Sequence, residues 1–220
     1  MPSCCRAAPC EEIFDARTAE WDLRSYRRQG LGTVEREMLA SVPEQHVTGG
    51  RVLEIGGGIG ALQAELLKRG AASGEVVELI SAYGPYALEL ARELGVAERA
   101  SFRVVDLLAD PGAAQPADVV LMNKVICCSG EGLELTRVAA GLTRGVLVMS
   151  YPRDRWLFRV AQRVQHAVFR LLGRSYRFYV RSSAAIEAAA ASAGLRKVAS
   201  GGSFVWEHST FARTAPAAGD

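Results

Sequence analysis

Residues 51–60 join a short apolar run to a dense cluster of glycines, and this feature constrains the fold most strongly. The run Arg51–Ile55 predicts a β-strand, and glycine fills four of the five positions from 56 to 60. Glycine lets the backbone turn tightly and approach a ligand without a Cβ in the way. A helix is predicted directly afterwards, over Ala61–Lys68, and its N-terminus favours negative charge. Strand, glycine loop and helix in this order indicate a nucleotide-binding loop.

Short apolar runs alternate with helical segments over much of the chain. Further strands are predicted over Glu75–Ile80, Ser101–Val105, Asp118–Leu121 and Gly145–Ser150, and further helices over Tyr86–Leu94 and Leu133–Gly141. This alternation predicts a parallel, doubly wound sheet covered on both faces. Two last strands, Leu195–Ala199 and Phe204–Ala212, are separated only by a short turn and must therefore be antiparallel. We predict an α/β fold, a Rossmann-like, mostly parallel seven-stranded sheet with a C-terminal antiparallel hairpin.

The ends of the chain and one internal segment depart from this alternation. We predict a disordered leader over residues 1–10, a helical cap over 11–48, the main domain over 49–213 and a disordered tail over 214–220. Residues 153–181 are predicted to form a helical insertion over the substrate site. This insertion contains eight arginines and a single acid, Asp154, and therefore predicts a basic surface.

Composition excludes several classes of function. A net charge of +2 is too small to indicate a nucleic-acid partner. No apolar run approaches the roughly 18 residues that would suggest a membrane span. The first residues lack the apolar core of a signal peptide, so we expect a cytoplasmic protein with reduced cysteines.

The glycine loop fits two kinds of ligand, and two features favour one of them. Gly56, Gly58 and Ala61 satisfy the dinucleotide pattern G-x-G-x-x-A, so an NAD-type oxidoreductase is one alternative. However, Glu54 lies two residues before Gly56, where a carboxylate would face an ammonium group favourably but would oppose a pyrophosphate. The C-terminal hairpin also does not belong to a plain dinucleotide-binding domain.

The sequence E-x-G-x-G-x-G after an apolar strand resembles motif I of the class I S-adenosylmethionine-dependent methyltransferases. The resemblance covers residues 51–213 and implies S-adenosylmethionine as the cofactor. It places Glu78 on the ribose hydroxyls, where an ionised acid can accept two hydrogen bonds. The residues that the resemblance assigns to the cofactor are Glu54, Gly56, Gly57, Gly58, Gly60, Glu78, Asp106 and Leu107 near the adenine, and Asn123 near the methionine portion. In the cap, Tyr26 with Arg24 and Arg27 is a further candidate, for the cofactor carboxylate.

The expected partner is a small-molecule acceptor with an O-, S- or similar nucleophile. The strand end at Tyr151, the long insertion and the segment Phe178–Val180 resemble magnesium-protoporphyrin O-methyltransferases, which implies a carboxylate on a flat apolar acceptor. The candidates for substrate contact are Tyr151, Arg153, Cys127 and Cys128. No residue stands out as a catalytic base, and without a C-x-x-C pattern no metal site is predicted.

Two alternatives stay open at this point. The helical segment Arg155–Leu172 has three interpretations: it packs on the core, it caps the acceptor site with its apolar face, or it contacts a membrane peripherally. A non-catalytic, methyltransferase-like binding protein is a further alternative to an enzyme.

Overall fold

The architecture was obtained as a computed structural model, which describes residues 7–213 and the side chains from residue 9 onward. Its strands are β1 (Arg51–Ile55), β2 (Ser73–Glu78), β3 (Ala100–Val104), β4 (Ala117–Asn123), β5 (Thr143–Pro152), β6 (Leu195–Gly202) and β7 (Trp206–Arg213). They form one sheet in the order β3-β2-β1-β4-β5-β7-β6. Strands β1 to β5 pair in parallel, and β7 is antiparallel to both β5 and β6. The predicted fold is therefore confirmed.

Helices cover both faces of the sheet, and an N-terminal group of helices packs against the glycine loop. They are α1 (Ala7–Glu11), α2 (Ala16–Gln29), α3 (Thr33–Ala40), α4 (Glu44–Val47), α5 (Ala61–Lys68), α6 (Gly84–Glu93), α7 (Gly132–Gly141), α8 (Trp156–Leu171) and α9 (Ser183–Ala191). The ends of α2 follow from its sequence. Asp15 accepts a hydrogen bond from the Thr18 N–H at 2.9 Å, and Gly30 ends the helix at a φ of +65°.

The N-terminal leader differs from its prediction. Residues 7–10 are helical rather than disordered, because Cys10 is buried in a cluster with Leu23 of α2 and Ile59 of the glycine loop. The rest of the predicted leader, with Cys4 and Cys5, and the predicted tail lie outside the described residues.

The strand order creates a crevice at one edge of the sheet. The chain passes from β1 to β2 on one side, whereas β4 pairs with β1 on the other side. Connections that leave in opposite directions open a crevice at the carboxyl ends of the strands, where ligands bind in such folds. Apolar clusters fill both faces of the sheet, and the cap packs its own cluster against the glycine loop.

The insertion helix does not pack its apolar face on the core. Helix α8 contains no buried residue, and Trp156 and Leu171 are 76% and 84% exposed. The interpretation of this helix as a core-packing element is therefore wrong, and so is the interpretation that its apolar face caps the acceptor site. Between residues 7 and 213, none of the helices has both the length and the hydropathy to cross a membrane.

Candidate functional site

A cavity of about 910 Å³ lies at the carboxyl ends of β1, β2 and β4. Small-molecule sites occupy roughly 300–1,000 Å³, so this cavity is at the large end of that range. Residues from the cap and from the segment after α8 complete its wall, among them Phe14, Glu35, Tyr176 and Phe178.

Most of the residues predicted from sequence meet in this cavity. Those on its wall are Tyr26, Glu54, Gly56, Gly57, Gly58, Glu78, Asp106, Leu107, Asn123, Cys127 and Cys128. Gly60 lies beneath the loop instead, where it is buried and precedes α5 with a φ of +70°.

The Glu54 side chain is buried between the glycine loop and α5. Its Oε2 accepts the Gln63 N–H at 2.8 Å, in the first turn of the helix. A Cβ on Gly57 would come within 2.8 Å of the Glu54 carboxyl carbon, so glycine at 57 makes room for this acid. Burial raises the pKa of Glu54 to about 8, and the nearby charge of Glu78 adds to the rise. A positive charge beside Glu54 would favour its ionised form.

The Glu78 carboxylate ends β2 and holds the glycine loop in place. Its Oε2 accepts the Gly58 N–H at 2.9 Å, and its Oε1 accepts those of Leu79 and Ile80 at 2.7 and 3.2 Å. Burial raises the pKa of Glu78 despite these three bonds. An ionised carboxylate offers about four acceptor positions. A diol that binds here by two hydrogen bonds therefore replaces or shares at least one backbone donor.

Asp106 and Leu107 form the turn that follows β3. The Asp106 Oδ1 accepts the N–H groups of Leu108 at 3.0 Å and Ala109 at 3.3 Å, which fixes the carboxylate at the cavity wall. Leu107 is buried and supplies an apolar surface beside it.

A polar network lies at the end of β4. The Ser150 hydroxyl donates to the Asn123 Oδ1 at 2.6 Å, and the Asn123 amide donates to Glu35 of α3 at 3.2 Å. The ammonium group of Lys124 donates to the same Glu35 oxygen at 2.6 Å and lies 5.3 Å from the centre of the Trp206 ring. Burial raises the pKa of Glu35, but the bond and charge of Lys124 outweigh it, and the net pKa is lowered.

Sequence reasoning missed Glu35, Lys124 and Trp206. Glu35 and Trp206 come to the cavity from distant parts of the chain, and no local sequence pattern predicts this position. Lys124 did leave a signal, since it directly follows the predicted Asn123. Its φ of +59° is uncommon for a residue other than glycine and turns the chain sharply at the strand end.

The cap and the segment after α8 close over the cavity together. The Glu12 carboxylate accepts the Ser175 N–H at 3.0 Å and the Ser175 hydroxyl at 2.5 Å. The rings of Phe14 and Tyr176 meet edge to face, with centroids 6.0 Å apart. We call these contacts, between residues 10–14 and 175–178, the roof of the cavity.

The two adjacent cysteines lie under this roof. The Sγ atoms of Cys127 and Cys128 are 3.8 Å apart, and the Cys128 Sγ is 3.2 Å from the Tyr176 hydroxyl. The hydrogen bond with Cys127 lowers the pKa of Cys128, burial opposes this, and the bond with Tyr176 adds to it. Within the described part of the chain, no group of three or more His, Cys, Asp and Glu side chains could hold a metal ion.

The structure does not bring Tyr151 and Arg153 to the cavity. Strand β5 runs to Pro152, two residues further than predicted, so Tyr151 pairs with Glu207 inside the sheet. Its buried hydroxyl lies 2.7 Å from the Ser209 hydroxyl, and burial raises its pKa to about 12. Arg153 donates to the Ser203 carbonyl at 2.7 Å, in the hairpin turn.

The arginines predicted to join Tyr26 also turn elsewhere. Arg24 pairs with Glu20 at 2.5 Å, and Arg27 pairs with acids of α6. Tyr26 stays on the cavity wall, but its hydroxyl donates to Glu65. The predicted cluster is dispersed because acids on α2, α5 and α6 offer each member a nearer partner.

Comparison with known proteins shows which solved structures have a similar fold. Neither a protein-family model nor a curated protein sequence matches the chain. Magnesium protoporphyrin IX methyltransferase from Synechocystis PCC 6803, solved with S-adenosylhomocysteine, matches with a TM-score of 0.67 and 19% identity, over 88% of this chain and 86% of that one. An O-methyltransferase family protein from Burkholderia thailandensis matches with a TM-score of 0.72 and 15% identity, over 97% and 65%. An O-methyltransferase family 2 protein from Planctomyces limnophilus, in complex with apigenin, matches with a TM-score of 0.67 and 18% identity, over 90% and 62%. The present chain thus spans less than two thirds of the last two proteins, and its own fold is the Rossmann-like fold of the class I methyltransferases.

Proposed function

We propose that this protein is an S-adenosylmethionine-dependent methyltransferase that acts on a small-molecule acceptor by direct methyl transfer. The observation that carries the proposal is how the cavity is divided along the sheet edge. Asp106, Glu78 and the glycine loop lie on the side of β3, β2 and β1. Lys124 and Trp206 lie on the side of β4 and β7. The first half suits the cofactor and leaves the second half for an acceptor.

The chemistry of the first half supports S-adenosylmethionine as its ligand. Glu78 is placed to accept hydrogen bonds from ribose hydroxyls, and Asp106 to accept one from the adenine amino group, against the apolar surface of Leu107. Glu54 and Asn123 lie towards the methionine portion. The Synechocystis structure, of similar fold, contains S-adenosylhomocysteine.

The cofactor supplies an already activated methyl group on a sulfonium. The residues of the chain then have to align the acceptor with that methyl and exclude water. The roof excludes water, because Phe14, Tyr176 and Phe178 cover the cavity with aromatic side chains. Asn123, held by Ser150 and Glu35 at the boundary between the two halves, aligns the acceptor.

The acceptor half favours a nucleophile that is already ionised. Glu35 is a weak base, because Lys124 lowers its pKa, and it is committed to two hydrogen bonds. Carboxylates are ionised near neutrality and need no base. Arg36 lies on the cavity wall and can attract such a group, Lys124 there is paired with Glu35, and Trp206 offers an aromatic surface. We therefore propose an apolar acceptor that carries a carboxylate, with a thiolate as the alternative.

Calorimetric titration with S-adenosylhomocysteine and with NAD⁺ tests the cofactor. We expect S-adenosylhomocysteine to bind and NAD⁺ not to bind. Glu78→Gln is expected to weaken binding at least roughly tenfold, because the loss of one hydrogen bond to a charged group costs about 1.5–3 kcal/mol. Glu75→Gln is the matched control, since Glu75 lies on the same strand but pairs with Arg51 at 2.5 Å, away from the cavity.

The result that overturns the cofactor assignment is binding of NAD⁺ alone, or equal affinity of wild type and Glu78→Gln for S-adenosylhomocysteine. Turnover is tested separately with labelled S-adenosylmethionine and a panel of aromatic carboxylic acids and thiols. Binding of S-adenosylhomocysteine without transfer to any of them, or to a cell extract, would identify a non-catalytic binding protein.

A further inference from the structure

Helix α8 turns a mixed side towards the protein, and the polar residues of that side bind the segment that follows the helix. Gln162 accepts the Val180 N–H at 2.7 Å, and Gln165 accepts that of Phe178 at 3.4 Å. The His166 Nε2 lies 2.7 Å from the Phe178 carbonyl oxygen. Polar side chains thus fix the helix to the segment after it, which leaves the opposite side to the solvent.

The solvent side of α8 is apolar. The residues that form it are Trp156, Leu157, Val160, Val164, Val168 and Leu171, and each is exposed. At 3.6 residues per turn these residues share one sector of roughly 120° of the helix circumference. We call this sector the apolar face of α8.

Arginines follow one edge of the apolar face. Arg159, Arg163 and Arg170 fall in the neighbouring sector of the helix, and all three are exposed. The only acid between residues 153 and 181, Asp154, is already paired with Arg159 at 2.5 Å. Because Arg159 is neutralised by Asp154, the net positive charge beside the apolar stripe comes from Arg163 and Arg170.

We propose that the apolar face of α8 binds the surface of an anionic lipid bilayer, with the helix in the plane of the interface. A helix with a tryptophan and aliphatic residues on one face and arginines beside that face is typical of interfacial binding. The arginines complement the negative headgroups of such a membrane. This inference does not rest on the proposed enzymatic activity.

Charge argues against a second copy of the chain as the occupant. A twofold dimer places the same patch of both subunits together. Such a contact would bring Arg159, Arg163 and Arg170 close to their equivalents, with Asp154 as the only acid of the insertion to oppose them. A bilayer of anionic lipids accepts both the apolar stripe and the charge.

The position of α8 determines how far the cavity would lie from a bound membrane. Tyr176 and Phe178, which form part of the cavity wall, follow the end of the helix by a few residues. The segment with Phe178 binds the side of α8 opposite the apolar face, so a protein docked through α8 holds this part of the roof roughly 10 Å from the bilayer surface, about the diameter of a helix.

Flotation with vesicles tests the proposal on the full-length protein. Phosphatidylcholine vesicles are compared with vesicles that also contain phosphatidylglycerol, and we expect binding to the anionic vesicles. Val160→Glu/Val164→Glu should weaken this binding roughly tenfold or more, because it places two charges in the apolar face. The matched control is Val104→Glu/Val198→Glu, on two valines that are each 55% exposed on other elements and should not affect binding.

The contribution of charge is tested with Arg163→Glu/Arg170→Glu. One arginine near an anionic surface strengthens binding roughly fivefold, so the double reversal should weaken it by at least about 25-fold. Arg144→Glu/Arg196→Glu, on exposed arginines elsewhere, is the matched control. Circular dichroism melts confirm that each variant is folded.

Three results would overturn the proposal. The first is a wild-type protein that does not float with the anionic vesicles or floats equally with neutral ones. The second is an unchanged affinity in the α8 variants. The third is a wild-type dimer, measured by light scattering, that Val160→Glu/Val164→Glu converts to monomers, since the apolar face would then bind a second copy.

Discussion

Replacing Glu54 by glutamine should stabilise the protein more at high pH than at low pH. The carboxyl group of Glu54 is buried, and its pKa in the folded protein is raised from 4.5 to about 8. Between these values the folded chain keeps a proton that the unfolded chain has released. Stability from this group is therefore complete below about pH 4.5 and is lost as the pH rises towards 8.

The magnitude follows from the same pKa. Each pH unit in this range lowers the free energy of unfolding by up to about 1.4 kcal/mol, so the change from pH 6 to pH 7.5 is about 2 kcal/mol. Glutamine does not titrate, and its carbonyl can still accept the hydrogen bond from the Gln63 N–H. The stability of Glu54→Gln relative to wild type should therefore rise by about 2 kcal/mol over this interval.

Urea unfolding at pH 6 and pH 7.5, followed by tryptophan fluorescence, measures this difference. Glu75→Gln serves as the control, because Glu75 is also buried but pairs with Arg51 and Arg103. It should be less stable than wild type at both pH values, since its partners lose their acid. A difference between Glu54→Gln and wild type that stays constant or falls from pH 6 to pH 7.5 would refute the reasoning.

Two further predictions concern the loop and the roof. Gly57→Ala should destabilise the protein by about 1–3 kcal/mol, because the new Cβ would lie 2.8 Å from the Glu54 carboxyl carbon. In a double-mutant cycle measured by chemical denaturation, Gly57→Ala should lower the free energy of unfolding less when Glu54 is alanine. Fully additive effects of the two substitutions would show that the two side chains do not interact. Glu12→Gln should speed hydrogen exchange of the Ser175 amide, since a glutamine cannot accept all the bonds that the carboxylate accepts. Hydrogen bonds from Ser175 lower the pKa of Glu12, so acid should loosen wild type in the same way, as the carboxylate is protonated when pH falls through that lowered pKa. Glu20→Gln, on an exposed ion pair of α2, is the control, and exchange at Ser175 that matches wild type in Glu12→Gln would contradict the prediction.

The sequence by itself determined the sheet and the glycine loop, because both follow from local patterns. Apolar runs that alternate with helices specify parallel strands, and the short turn before β7 requires an antiparallel hairpin. The acids Glu54, Glu78 and Asp106 were found for the same reason. Each lies at the end of a strand or just after it, and parallel strands bring these ends to one edge of the sheet.

Only the tertiary structure decided which distant residues meet and which side of a helix is buried. Glu35 reaches Lys124 from the N-terminal cap. Tyr151 lies inside the sheet and not at the predicted site, because β5 extends to Pro152. The periodicity of α8 predicted an amphipathic helix, but an amphipathic pattern does not say which face meets the protein. Hydrogen bonds that Gln162 and Gln165 accept from the backbone of the next segment settle that choice and leave the apolar face of α8 in the solvent. The orientation depends on backbone groups that become neighbours only when the chain folds.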